Sequence, residues 1–248
     1  MNDAPALTRD AFLGGRLQLW QPARGFRAGS DAVLVAAACP AVAGQSVLDL
    51  GCGVGAAMYC LAARIPGLSL TGVERDGATA DLARRNGPAD VVTGDIFDSL
   101  PTLKRSFDHV ICNPPYFPAG AGSAAQDTSR ETALRETEAG AVSLWAQAAC
   151  RRVTMKGSVT FILRADRLAD VLTPMAERLG GLIVLPIAGR AGTPANRVIL
   201  QGRKGARAPL RLLPPFVLHE GAAHTGDRDS HTDAAQAVLR HAEALPLS

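Results

Sequence analysis

Apolar and polar positions along this chain fall into blocks of two kinds. Residues 46–50 (SVLDL), 68–74 (LSLTGVE), 89–93 (ADVVT) and 107–112 (FDHVIC) are short apolar runs bounded by glycine, proline or charged residues. Runs of this type predict strands buried on both faces, as in a parallel sheet. Between and after them, residues 56–64, 77–86 and 139–153 read as helices, the second stopping at Asn86-Gly87-Pro88. A strand is expected over 158–163, then a helix over 166–179 interrupted near Pro174. Residues 182–187 and 197–202 lie close together across a Gly/Pro-containing loop, which predicts an antiparallel pair. Strand–helix alternation of this kind predicts an α/β fold: a mostly parallel sheet, an antiparallel C-terminal strand, and helices on both faces. One domain is expected, with a helical lead-in over 1–44, a core over 45–203 and a C-terminal extension over 204–248. Residues 118–134, rich in Gly, Ala and Ser, read as a long mobile loop.

Composition mostly excludes. Of 248 residues, 47% are hydrophobic and 20% charged, as in a globular protein. Five cysteines at 39, 52, 60, 112 and 150 form no C-x-x-C pair, and the histidines do not cluster. Neither a metal site nor a disulfide framework is expected, and a reducing cytoplasm suits such cysteines. The N-terminus lacks a basic stretch followed by an apolar core. The longest apolar run, 32–43, contains Pro40 and is too short to cross a bilayer, so no membrane association is expected.

Charge is unevenly spread. Residues 1–150 hold 12 Lys+Arg against 15 Asp+Glu, residues 151–211 hold 12 against 3, and the remainder 2 against 5. The middle block therefore carries +9, with no acid between Arg178 and Arg211. Such a block is ordinarily solvated surface, and it also suits a polyanionic partner.

The candidate chemistry sits at strand ends. In VLDLGCGVGAAM, Gly51, Gly53 and Gly55 lie between a strand and a helix, where glycine lets backbone amides approach a ligand closely. Gly51, Gly53 and Ala56 also satisfy the dinucleotide pattern, with Glu74 about 20 residues on, so a nicotinamide dehydrogenase is one reading. Asp49 favours a different ligand, because a carboxylate suits an ammonium or sulfonium better than a pyrophosphate. Glu74 can accept both hydroxyls of a ribose. Asp95, followed by Ile96 in TGDIFD, is placed to bond an adenine amino group. S-adenosylmethionine matches all of these groups, giving Asp49, Gly51, Gly53, Glu74, Asp95, Ile96 and Asn113 as the cofactor set.

Strand 107–112 then runs into Asn113, Pro114, Pro115, Tyr116 and Phe117. The stretch from Asp49 to Tyr116 resembles the class I S-adenosylmethionine-dependent methyltransferases, whose sheet is Rossmann-like. The NPPY turn resembles the branch that methylates planar nitrogens: adenine or cytosine amino groups, or the amide of glutamine. The resemblance implies that the Asn113 side-chain oxygen and the Pro114 carbonyl accept the two amino hydrogens and free the nitrogen lone pair. The prolines, Pro115 included, hold these acceptors in place. Tyr116 offers a stacking face for the base, and Phe117 a wall of the same pocket.

A wider resemblance covers most of the chain. GFRAGSDAVLVAAACP, VLDLGCGVGAA, HVICNPPYF, RADRLADVL and RKGARAPLRLLPPFVLH follow in this order. Together they resemble the bacterial valine-tRNA adenine-N6 methyltransferases, which modify the adenine 3′ of the anticodon. Where that family reads Lys-Pro-Gly-Gly, this chain has Met155-Lys156-Gly157-Ser158, and the loop after Phe117 and the tail from Gly221 match least. The family's lead-in closes over the cofactor, which implicates Phe26, Arg27 and Asp31, although Asp31 also reads as a helix N-cap. With tRNA as partner, Arg203, Lys204 and Arg207 become candidate phosphate contacts within the basic tract. Competing readings are glutamine N5-methylation of a release-factor-type protein, adenine methylation of ribosomal RNA or DNA, and an RNA-binding module without catalysis.

Overall fold

The computed structural model describes residues 6–98, 104–115, 141–221 and 230–247. It opens with an antiparallel hairpin, β1 (Leu7–Phe12) and β2 (Leu17–Pro22), joined through Leu13–Gly15. The lead-in, expected above to be helical, instead forms this hairpin before its helix begins. Its signal is a period of two: Leu19 and Gln21 are buried while Gln18 is exposed and Trp20 only half-buried. Helix α1 (Ser30–Ala38) follows, buried from Ala32 to Ala38. A helix apolar on every side must be covered all round, and this one lies between the sheet and its neighbouring helices.

The core comprises β3 (Ser46–Leu50), α2 (Ala56–Arg64), β4 (Ser69–Glu74), α3 (Gly77–Asn86), β5 (Asp90–Thr93) and β6 (Phe107–Cys112). Then come α4 (Ala141–Arg152), β7 (Val153–Arg164), α5 (Leu168–Ala176), β8 (Gly180–Arg190) and β9 (Arg197–Arg203). Last are β10 (Arg211–Leu212), β11 (Phe216–His219) and α6 (Asp233–His241). The sheet runs β10-β8-β9-β7-β6-β3-β4-β5, with β11 also on β8. Every neighbouring pair is parallel except those of β9, which is antiparallel to β7 and β8. This is the mostly parallel α/β sheet that the pattern predicts. One apolar cluster joins α1, α2, α3 and α6 to one face, and a second joins α4 and α5 to the other.

Two departures have local causes. β7 begins five residues earlier than expected because Lys156, at φ 68°, forms a bulge whose N–H donates to the Lys204 carbonyl. Helix α5 continues through buried Pro174 to Ala176 rather than breaking there. The extension is bound into the fold: β10 and β11 add to the sheet, and the Leu245 N–H donates to the Ala37 carbonyl of α1.

Candidate active site

Register gathers the candidate residues on one edge. Leu50 is level with Val73 on one side and Cys112 on the other, and Glu74 is level with Thr93. Gly51, Glu74 and Asn113 therefore leave their strands side by side. β3 is also where the order reverses, the chain running outward through β4 and β5 before crossing to β6. In open α/β sheets, ligands bind in the crevice at that point.

The glycine loop has two distinct halves. Gly51 takes φ 64°, and a Cβ there would lie 2.3 Å from the Trp145 ring of α4. Gly53, at φ 55°, has nothing within 4 Å of its Cβ position. Gly51 is thus required by packing, whereas Gly53 leaves open space over the loop. Gly55, at φ 85°, is the N-cap of α2. Glu74 orders the loop, one carboxylate oxygen accepting from the Gly53 N–H at 3.0 Å and the other from the Asp76 N–H at 2.9 Å. Each oxygen retains capacity for a second donor.

Asp49 lies beneath the loop, 2% exposed, and accepts one long bond from the Met58 N–H at 3.3 Å. Burial pushes its carboxyl up to about 8, the nearby Glu74 charge adds to this, and the Met58 bond acts in the opposite direction. A cation above the loop would relieve that carboxylate. Asp95 sits two residues beyond β5 rather than at its end, accepting from the Phe97 N–H, with Arg75 3.9 Å away. Ile96 beside it is buried and Phe97 exposed. This set of groups, with its open glycine and under-bonded carboxylate, fits a cationic nucleoside.

Asn113 and Pro115 are half-buried and Pro114 is buried directly after β6. Tyr116 and Phe117 lie outside the described residues, as does the expected loop over 118–134. In the lead-in, Phe26 is 54% exposed and Arg27 pairs with Asp10 at 2.5 Å. Asp31 is not the N-cap of α1. Gly29 holds that position, and Asp31 in the first turn accepts from Arg197 of β9 at 3.0 Å.

The basic candidates do not join this site. Because β9 runs antiparallel, Arg203 is level with Ser158, just past the bulge of β7, and so toward the opposite edge of the sheet from Asn113. Lys204 Nζ donates to the Val153 carbonyl, and Arg207 follows beside Gly180. Two supporting residues escaped the sequence reading. Trp145, one residue of the helix expected over 139–153, backs Gly51. Asn86 reads as a helix stop, yet its side chain bonds Trp20 of the hairpin and the Val54 carbonyl of the glycine loop.

The methyltransferase small domain model matches residues 26–152, from the lead-in through the glycine loop and the NPP turn to the end of α4. The chain belongs to this methyltransferase family. Among its relatives is a tRNA1(Val) (adenine(37)-N6)-methyltransferase of Actinobacillus succinogenes, 32% identical over 72% of this chain and 77% of that protein. The protein of the same description from Dickeya chrysanthemi is 27% identical over 84% of this chain and 85% of its own. A solved structure described as a predicted O-methyltransferase from Agrobacterium tumefaciens superposes with a TM-score of 0.70 at 26% identity, covering 87% of this chain and 98% of that one. The methyltransferase uses S-adenosylmethionine as its methyl donor. No helix among the described residues is long and apolar enough to cross a membrane.

Proposed function

We propose that this enzyme methylates the N6 amino group of an adenine in tRNA, next to the anticodon. The observation that carries the reading is the asparagine–proline turn leaving β6 level with the glycine loop, in a chain whose relatives are named for that reaction. Bound S-adenosylmethionine supplies an electrophilic methyl group. Asp49 faces its positive charge, Gly53 gives it backbone room while Gly51 seats the loop against Trp145, Glu74 accepts from the ribose, and Asp95 with Ile96 holds the adenine.

The target amino nitrogen is a poor nucleophile because its lone pair is delocalised into the ring. The Asn113 side-chain oxygen and the Pro114 carbonyl accept its two hydrogens and draw the lone pair out of conjugation. Pro114 and Pro115 restrict the backbone there, so the acceptors need little reorganisation as charge develops. Tyr116 stacks on the flipped base and Phe117 closes the pocket wall.

Labelled S-adenosylmethionine, unmodified tRNA and a glutamine-bearing release factor offered to the enzyme in parallel test this. The reading expects label in N6-methyladenosine after nucleoside digestion. Label in the release factor's glutamine instead would replace it with the protein-methylation reading.

A further inference from the structure

Apart from Arg190 and Arg211, which bond carbonyls of the C-terminal extension, the cations of the +9 block form two groups of different character. At the catalytic edge, Arg164, Arg167 and Arg197 are each matched by an aspartate: Asp166, Asp170 and Asp31, at 2.6, 2.7 and 3.0 Å. The opposite edge is different. There α4 ends with Arg151 and Arg152, β7 bulges at Lys156, and Arg178 stands two residues before β8. The end of β9 brings Arg203 level with Gly180, and a Cβ on Gly180 would lie 3.3 Å from the Arg207 backbone nitrogen. Burial pushes the Cys150 thiol at the end of α4 up to about 11, and the Arg178, Lys204 and Arg151 charges act on it in the opposite direction.

Two acids stand near this edge, Glu177 beside Arg178 and Asp108 bonded to Ser46, but neither forms an ion pair with these cations. Arg151, Lys156, Arg178, Arg203 and Arg207 are exposed, and none has an ion-pair partner among the described residues. Arg152 has a buried Nε without a hydrogen-bond partner, and burial and the neighbouring Arg151 charge both lower its pKa from the usual guanidinium value. Cations at the end of α4 complement its dipole. That accounts for Arg151 and Arg152, but not for cations converging from β7, α5 and β9.

We propose that this far edge binds phosphates of a second segment of a folded RNA substrate, through Arg151, Arg178, Arg203 and Arg207. The inference rests on the tRNA reading and adds where the RNA backbone is held. Asn113 lies four residues beyond His109, which is level with Ser158 and hence with Arg203. At about 3.3 Å per residue and about 4.8 Å per strand step, a phosphate bound there lies on the order of 20 Å from the target base. A glutamine side chain at Asn113 brings no charge to that edge. An RNA with a stem does, along the face covered by α4 and α5.

The test is the full chain carrying R151Q, R178Q and R203Q together, measured against unmodified tRNA over a range of salt. Each lost contact removes about 0.9 from the slope of log affinity against log salt, so the slope should fall by about 2–3 units. Affinity should drop about tenfold or more at moderate salt, KM for tRNA should rise with it, and S-adenosylmethionine affinity should not move. A short oligonucleotide centred on the target adenine should bind wild type and variant alike. Parallel salt lines at equal tRNA affinity overturn the proposal, as does an equal loss on the oligonucleotide. Should wild type bind tRNA through this edge yet place no methyl on adenine, the substrate reading fails and the surface stands. Adenine methylation with unaltered tRNA affinity in the variant means the reverse.

Discussion

Alanine at Gly51 and alanine at Gly53 separate what the loop does for the fold from what it does for the ligand. Both positions are left-handed, at φ 64° and 55°, so either substitution costs about 1–2 kcal/mol in backbone strain. At Gly51 the new methyl also falls 2.3 Å from the buried Trp145 ring. Displacing a packed ring adds about 1–3 kcal/mol, for a total of about 2–5 kcal/mol. In a chain of this size that lowers Tm by roughly 5–20 °C. At Gly53 the methyl meets no protein atom within 4 Å, so only the strain remains. It does enter the space over the loop, and S-adenosylmethionine affinity should fall at least about tenfold, about 1.4 kcal/mol. Calorimetry of unfolding and of binding reads both. Wild-type cofactor affinity in Gly53→Ala, or equal stability of the two variants, refutes this division of the loop.

Glu74→Gln should cost about 1.5–3 kcal/mol of cofactor binding, roughly ten- to hundredfold, since a charged acceptor is lost while Gly53 or Asp76 loses a partner. Titration calorimetry finding equal affinity would remove Glu74 from the site. Asp49, with its carboxyl near 8 before ligand binds, must lose a proton to face a cation. Cofactor affinity should therefore rise with pH up to about 8 with proton release, and Asp49→Asn should abolish that release, which calorimetry in buffers of different ionisation enthalpy detects. His109 bonds Ser158 and Gln45 at 2.8 Å each, and burial lowers its pKa from 6.5 to about 4. The folded state then binds fewer protons than the unfolded one between these values, so this stabilisation is present above pH 6.5 and is lost as pH falls toward 4. Its ceiling is about 3 kcal/mol, at about 1.4 kcal/mol per unit. Urea denaturation at pH 7 and pH 5 should show less loss in His109→Gln than in wild type.

The parts of the fold legible in the sequence are those whose residues leave no choice. β3 and β6 are nearly continuous apolar runs, and α2 and α3 are bounded by glycine, asparagine and proline, so their limits follow from chemistry local to each segment. The hairpin was obscured because Arg9, Asp10 and Gln21 sit among its apolar positions, and Gln21 is buried through bonds to Asp10 and Ala28. β10 and β11 are short additions to β8 flanked by prolines, and they become strands only because β8 is there to pair with. Glu74 and Asn113 could be assigned to the candidate site because parallel strands deliver their C-terminal residues to one edge. The basic tract could not be located by the same logic. Along antiparallel β9, six residues carry the chain from Arg197 at the catalytic edge to Arg203 at the other. Charge along a sequence does not say which edge it reaches.

If Asn113 acts on the target amino group rather than on either binding step, its loss slows the chemical step alone. Single-turnover methyl transfer by Asn113→Ala, with tRNA and S-adenosylmethionine both saturating, tests it most directly. The expected rate is lower by about two to three orders of magnitude, the scale for losing one preorganised polar group in the transition state. Dissociation constants for both ligands, measured on the same variant, should stay within about twofold of wild type. A wild-type rate, or a slow rate fully recovered by raising either ligand, would contradict the account.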